Sequence, residues 1–178
     1  MNYGLNLINN EFKDLQQNPI AAIGVCVGQP DPNNPYEWRC TMIGPNDTSF
    51  AGGLFYLKII FPRDYPNKAP EVTFVTPIYH VNVNHINQMG CPLGHICLST
   101  LNFWNPEYRM REVLTNIFAL FYLGNPDSPY GLDRANEYRQ KRAIYEEKAK
   151  YFTRKYANPA RGYKEYPKNQ DWNFYKPF

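Results

Sequence analysis

No apolar run in this chain of 178 residues is long enough to cross a bilayer. The longest, IFALFYL at 117–123, falls far short of the roughly 20 residues a membrane helix needs. The opening residues, MNYGLNLINNEF, lack a basic n-region followed by an apolar core, so no secretory leader is read there. Neither sign of charge dominates. Nineteen Lys and Arg against 16 Asp and Glu give +3, and residues 159–178, with four basic and two acidic side chains, hold +2 of it. The +1 left for the rest is no nucleic-acid footprint. Internal repeats and low-complexity stretches are missing as well. The expectation is a soluble intracellular protein, cytoplasmic or nuclear, with neither nucleic acid nor membrane as partner.

The chain does have the makings of one core. It is 43% hydrophobic and 16% aromatic, and its length suits a single domain. Its 16 prolines sit between apolar runs, as in GQPDPNNP, FPRDYPNKAP and GNPDSP, where they mark turns and rigid loops. The four cysteines, at 26, 40, 91 and 97, are read as reduced thiols without an oxidising compartment to pair them. Cys26 and Cys40 lie in alternating apolar runs and are expected in the core.

Residues 4–17, GLNLINNEFKDLQQ, set Leu5, Ile8, Phe12 and Leu15 on one helical stripe that Asn18-Pro19 ends. Four strand candidates follow at 22–28, 36–43, 54–61 and 71–75, separated by turn chemistry. They predict an antiparallel meander with one face covered by helix. Residues 76–107 have no sustained period and read as a long loop packed on the core, the kind of loop that carries function. Residues 108–123 predict a buried central helix through Val113, Leu114, Ile117, Leu120 and Phe121. Helical signals return from 132 to 156, with Ala143, Ile144, Ala149 and Phe152 as the expected buried stripe, and 157–178 reads as an appended tail.

All three histidines and two cysteines fall within YHVNVNHINQMGCPLGHICLST. The spacing of His80, His85, Cys91, His95 and Cys97 does not give the two tight ligand pairs of a zinc finger or ribbon, which argues against a metal site. A cysteine-protease dyad with His80 as base for Cys97 is a second reading, although no papain-like or caspase-like surroundings accompany it. A third is a thiol nucleophile on a loop, with Gly94 leaving room for close approach and Asn82 offering an amide to an oxyanion.

The order of the pieces from about 4 to 157 resembles the ubiquitin-conjugating enzyme family. The matching runs are DLQQNP, EWRCTMIGPNDTSFAGGLFYLKIIFPRDYP, APEVTFVTPIYHVN, GHICLSTL, WNPEYRMREVLTNI and GNPDSP. The resemblance implies an α+β fold: an N-terminal helix, a four-stranded antiparallel meander, a long active-site loop, a central helix and C-terminal helices. It divides the chain into a catalytic domain, 1–157, and an aromatic C-terminal extension, 158–178. It implies that Cys97 takes ubiquitin or a ubiquitin-like modifier from an activating enzyme as a thioester and passes it to a lysine amine of a substrate protein. A ligase, of RING or other type, assists, and no cofactor is implied.

Position by position, Cys97 matches the acceptor cysteine. Asn82 matches the asparagine of the His-Pro-Asn motif, thought to stabilise the oxyanion or to hold the active-site loop, and His80 matches its first, structural member. Val81 replaces the proline, which predicts a less rigid turn. Ser128 and Ser99 stand where acids are common, with Asp127 adjacent as a substitute for Ser128. Ligase contacts map to Asn67, Pro106 and Glu107. Asn6, Asn9 and Asn10 replace basic residues of the first helix. The piece HINQMGCPL is an insertion that brings His85 and Cys91, and Cys91 is a possible redox partner of Cys97. The tail aromatics Tyr163, Tyr166, Trp172, Phe174, Tyr175 and Phe178 are expected either to dock on the domain or to bind a partner. The alternative function on this fold is an adaptor that presents modifier or ligase without chemistry.

Overall fold

The computed structural model describes residues 3–20, 23–87, 90–165 and 172. Helix α1 (Tyr3–Gln17) leads into strands β1 (Val25–Gly28), β2 (Glu37–Ile43), β3 (Leu54–Ile60) and β4 (Glu71–Phe74). The strands form one antiparallel sheet in sequence order. Its register is fixed by alternation, with Trp38 opposite Ile59, Cys40 opposite Leu57 and Met42 opposite Phe55. Those side chains all point to the buried face, whereas Arg39, Tyr56 and Lys58 point away from it. A slip of one residue would turn the whole set to water.

After a loop from 75 to 98 come a single turn, α2 (Ser99–Asn102), and the central helix α3 (Met110–Ala119). Val113, Leu114, Ile117 and Phe118 of α3 are buried. Phe121, just beyond it, meets Phe50, Phe55 and Phe74 at ring distances of 5.2, 5.1 and 6.3 Å. This aromatic cluster joins α3 to strands β3 and β4, next to the loop that runs from 75 to 98. On the other side of α3, Glu11 of α1 is buried and accepts from the Tyr65 hydroxyl and the Met110 amide, each at 2.6 Å. Burial raises its pKa against the pull of those bonds.

The helical signal after 132 resolves into α4 (Leu132–Gln140) and α5 (Arg142–Tyr156), separated at Lys141, whose backbone leaves the helical region. The buried stripe of α5 is Tyr145, Ala149, Phe152, Thr153 and Tyr156. Ala143 and Ile144, expected inside, are exposed. The reason is phase: with tyrosines at 145 and 156 taken as core residues, the 3.6-residue period turns Ile144 outward. Cys26 is also exposed, since alternation in β1 turns Val25 inward and Cys26 out, while Cys40 is buried as expected.

The described part of the tail returns to the domain. Tyr163 packs edge-on against Tyr56, with the Arg39 guanidinium 4.0 Å from its ring. Glu165 pairs with Lys58 at 3.7 Å, and Trp172 is buried. Tyr166, Phe174, Tyr175 and Phe178 lie outside the described residues.

Candidate active site

Between β4 and α2 the chain runs almost wholly buried from Thr76 to His85. Residues in this position have few strand partners, so their polar backbone groups must be met in other ways. Two stretches of the loop meet each other. The Asn84 amide donates to the His95 carbonyl, the Gly94 amide to the Asn84 carbonyl and the Cys97 amide to the Asn82 carbonyl, each at 2.8 Å. Asn84, buried, closes the intervening insertion from within, its amide nitrogen lying 3.0–3.1 Å from the carbonyls of Ile86, Cys91 and Pro92. Gly94, at φ +80°, makes the close approach its position predicts, but to protein backbone: an added Cβ would fall 2.0 Å from the Phe74 carbonyl oxygen.

This short ladder delivers Cys97 half-exposed to the mouth of the site. Its sulfur is 3.0 Å from the Ser128 hydroxyl and accepts from the Asn102 side-chain amide at 3.4 Å. Nothing in the sequence marks Asn102; it arrives because α2 turns once directly after the cysteine. Ser128, mapped to a gate by the resemblance, thus has its hydroxyl directly against the sulfur. Asp127, the expected substitute, instead forms an ion pair with Arg139 of α4. Ser99 is exposed at the start of α2.

Asn82 is fully buried, and its side chain is committed to the loop that carries Ser128. Its amide donates to the carbonyls of Asn125 and Ser128 at 2.8 and 2.9 Å, and its carbonyl accepts from the Asn125 amide at 2.7 Å. With both amide hydrogens engaged, this geometry fits the loop-holding role. His80 is also buried. Its Nδ1 accepts from the Asn82 amide at 3.0 Å and its Nε2 donates to the Leu120 carbonyl at 2.9 Å. Burial pulls its pKa down to about 4. A neutral imidazole with both nitrogens on backbone is not a base for Cys97, which removes the dyad reading.

Val81, at the position where a less rigid turn is expected, has both backbone polar groups bonded. Its N–H, which proline lacks, donates to the buried Tyr145 hydroxyl at 3.0 Å, and its carbonyl accepts from the Tyr130 amide at 2.8 Å. The substitution exchanges a ring constraint for a hydrogen bond to α5.

Cys91 donates to the Tyr130 hydroxyl at 3.3 Å, and that hydroxyl also meets His95 Nδ1. Desolvation and the nearby thiols push the Tyr130 pKa up, and desolvation lowers that of His95. Both thiols are free. His80 meets the Leu120 carbonyl, and His85, buried beside Gly131, lies 3.9 Å from Asp133. Among the described residues no set of three or more His, Cys, Asp or Glu is placed to hold a metal.

The residues mapped to ligase contact are exposed on two adjoining loops. Asn67 lies on one, Pro106 and Glu107 on the other, and the Trp104 Nε1 bond to the Pro66 carbonyl, 2.6 Å, ties them together. Asn6, Asn9 and Asn10 are exposed on α1.

A family model described as ubiquitin-conjugating enzyme matches residues 7–153. The matched span contains every candidate site residue.

His80 gives the site a pH signature. Its folded-state pKa, about 4, lies below the ordinary 6.5, so the unfolded chain binds its proton first. The stability it contributes is present above pH 6.5 and is lost as pH falls from there through 4, by up to about 3 kcal/mol. Urea unfolding at pH 7 and pH 4.5 is expected to show this fall in the parent, and a smaller one in His80→Gln. Parallel pH profiles would show that His80 is not the titrating group.

Proposed function

Since the chain belongs to the ubiquitin-conjugating enzyme family, we propose that it carries ubiquitin or a ubiquitin-like modifier as a thioester on Cys97 and passes it to a lysine amine of a substrate protein. The observation that supports this most directly is the placement of Cys97. It is the half-exposed thiol of a tightly bonded loop, with a hydroxyl and an amide donor at its sulfur. An activating enzyme supplies the acyl group, and the Cys97 sulfur takes it. The lysine nitrogen then attacks the same carbonyl carbon, the C–S bond breaks, the thiolate leaves and the amine gives up a proton. Thiolate is the better leaving group, so the chain's task is to orient the reactants and exclude water.

Each neighbour has a part in that task. The Asn102 amide steadies negative charge on sulfur. Asn82 holds the Ser128 loop over the cysteine, and His80, locked neutral, holds Asn82. Ser128 offers the incoming amine a hydrogen-bond acceptor and no negative charge. A ligase docks on the joined loops at Asn67, Pro106 and Glu107, where the polar Asn67 disfavours ligases that grip a bulky apolar side chain. Residues 1–157 make up the catalytic body, and the protein works in the cytoplasm or nucleus.

The second reading is an adaptor of the same fold. The specific observation in its favour is that the gate carries serine while the neighbouring Asp127 is tied to Arg139.

Incubation with activating enzyme, ATP and ubiquitin, followed by gels with and without reductant, separates the two. A reductant-sensitive adduct that Cys97→Ala abolishes supports the enzyme; no adduct with any available modifier favours the adaptor. Ser128→Asp is expected to raise lysine discharge at pH 7 by adding an anionic gate, and an unchanged rate would discard the gate role. Asn82→Ala is expected to lower charging and discharge together if it holds the loop. If Asn82 were instead an oxyanion donor, discharge would fall far more than charging, by about 2.7–4 kcal/mol of barrier.

A further inference from the structure

The backbone ladder of the Cys97 loop joins residues 82–84 to 94–97, the Asn84 side chain holds Ile86, Cys91 and Pro92 of the insertion between them, and the two ends of that insertion are met from outside as well. One residue from far along the chain touches both. The Trp172 amide donates to the His85 carbonyl at 2.8 Å, at the first residue of the insertion. Its ring reaches Gly94, the residue that directly follows the insertion: a Cβ built there would lie 2.9 Å from Trp172 Cη2. The Trp172 carbonyl accepts from Arg134 of α4 at 3.3 Å. Arg134 is itself buried, stacked 4.1 Å over Tyr79, and reaches the carbonyls of His80 and Ile78 at 3.3 and 3.5 Å. Its guanidinium thus links Trp172 to the segment that enters the site from the other side. Trp172 is 3% exposed, so it is a component of the interior and not a ring resting on the surface.

We propose that Trp172 is a positioning residue for Cys97. It clamps the two ends of the insertion and, through Arg134, the His80 segment, so that the 82–84 and 94–97 ladder holds the sulfur against Ser128 and Asn102. The chemistry it serves rests on the thioester reading of Cys97. The path to the sulfur is short and continuous: Trp172 on Gly94, Gly94 on Asn84, and Cys97 three residues further on with its amide on Asn82. Removing the ring opens a hole beneath Gly94, where backbone already approaches backbone too closely for any side chain. Upstream, Tyr163 and Glu165 are seated on Tyr56, Arg39 and Lys58. Trp172 is then a working part of the site.

Three variants test this in the full chain: Trp172→Ala, Trp172→Phe and Val25→Ala. Val25 is buried in β1, the sheet edge opposite β4, and serves as a control for general loss of stability. With ubiquitin preloaded, Trp172→Ala is expected to slow single-turnover lysine discharge about tenfold or more, since small misplacements of a reacting group cost that much. Trp172→Phe should recover part of the loss. Hydrogen exchange at the Gly94 and Cys97 amides should quicken in Trp172→Ala and stay near the parent in Val25→Ala at matched distance below each melting temperature. Equal discharge and equal exchange in Trp172→Ala and Val25→Ala would overturn the proposal, as would a parental discharge rate in Trp172→Ala. If Trp172→Ala does not fold, Trp172→Leu takes its place in the same comparison. If the parent forms no thioester, the Cys97 reading fails, while the exchange rates still decide whether Trp172 holds the segment.

Discussion

A chain that passes through a protein interior without continuous strand neighbours must find a partner for every polar backbone group it carries, and the segment from Thr76 to Cys97 is built around that requirement. Side chains supply much of what a sheet would have supplied. Tyr145 accepts from Val81, His80 from the Asn82 amide, and Arg134 donates to His80 and Ile78. Asn82 and Asn84 act as internal staples, each bonded to backbone on either side of the loop it closes. A leftover buried group costs about 1–3 kcal/mol, so a loop this buried folds only as a unit with the helices around it.

That dependence is what gives Cys97 a defined position. The sulfur owes its neighbours to three separate elements: Ser128 comes from the loop before α4, Asn102 from α2, and the cysteine itself from the ladder with Asn82. Asn82 binds the first and the third together. The same residue is therefore bonded both to the cysteine's backbone and to the loop that carries Ser128. His80, too buried to ionise near neutral pH, adds no charge to this interior and bonds the Asn82 amide as a neutral ring. The Val81 N–H is met in the same way, by the buried Tyr145 hydroxyl.

Much of the fold was open to reading because period and punctuation agree. The α1 stripe, the four alternating runs and the apolar α3 each bury one face, and their boundaries in the structure differ from the pattern by a few residues at most. The pattern erred where polarity and burial part company. Glu11 sits inside on the apolar side of α1 because two donors meet it there, and tyrosines, not Ile144, take the inner face of α5. Cys26 was counted as core because its run is apolar, but its neighbours Val25 and Cys40 hold the inward places.

Sequence alone determined the meander, the helices and the family, since these rest on local spacing and on motif order that survive without coordinates. It also singled out Cys97, Asn82 and Ser128 as residues of one site. Tertiary structure decided which atoms of those residues face one another: that Asn82 turns both amide hydrogens to carbonyls, that Asp127 leaves for Arg139, and that Asn102 reaches the sulfur. It alone brought Trp172 back to His85 and Gly94. The physical reason is range. Periodicity records which face of an element is buried, whereas the partner of a buried polar group is chosen by whatever the folded chain brings within three ångströms of it.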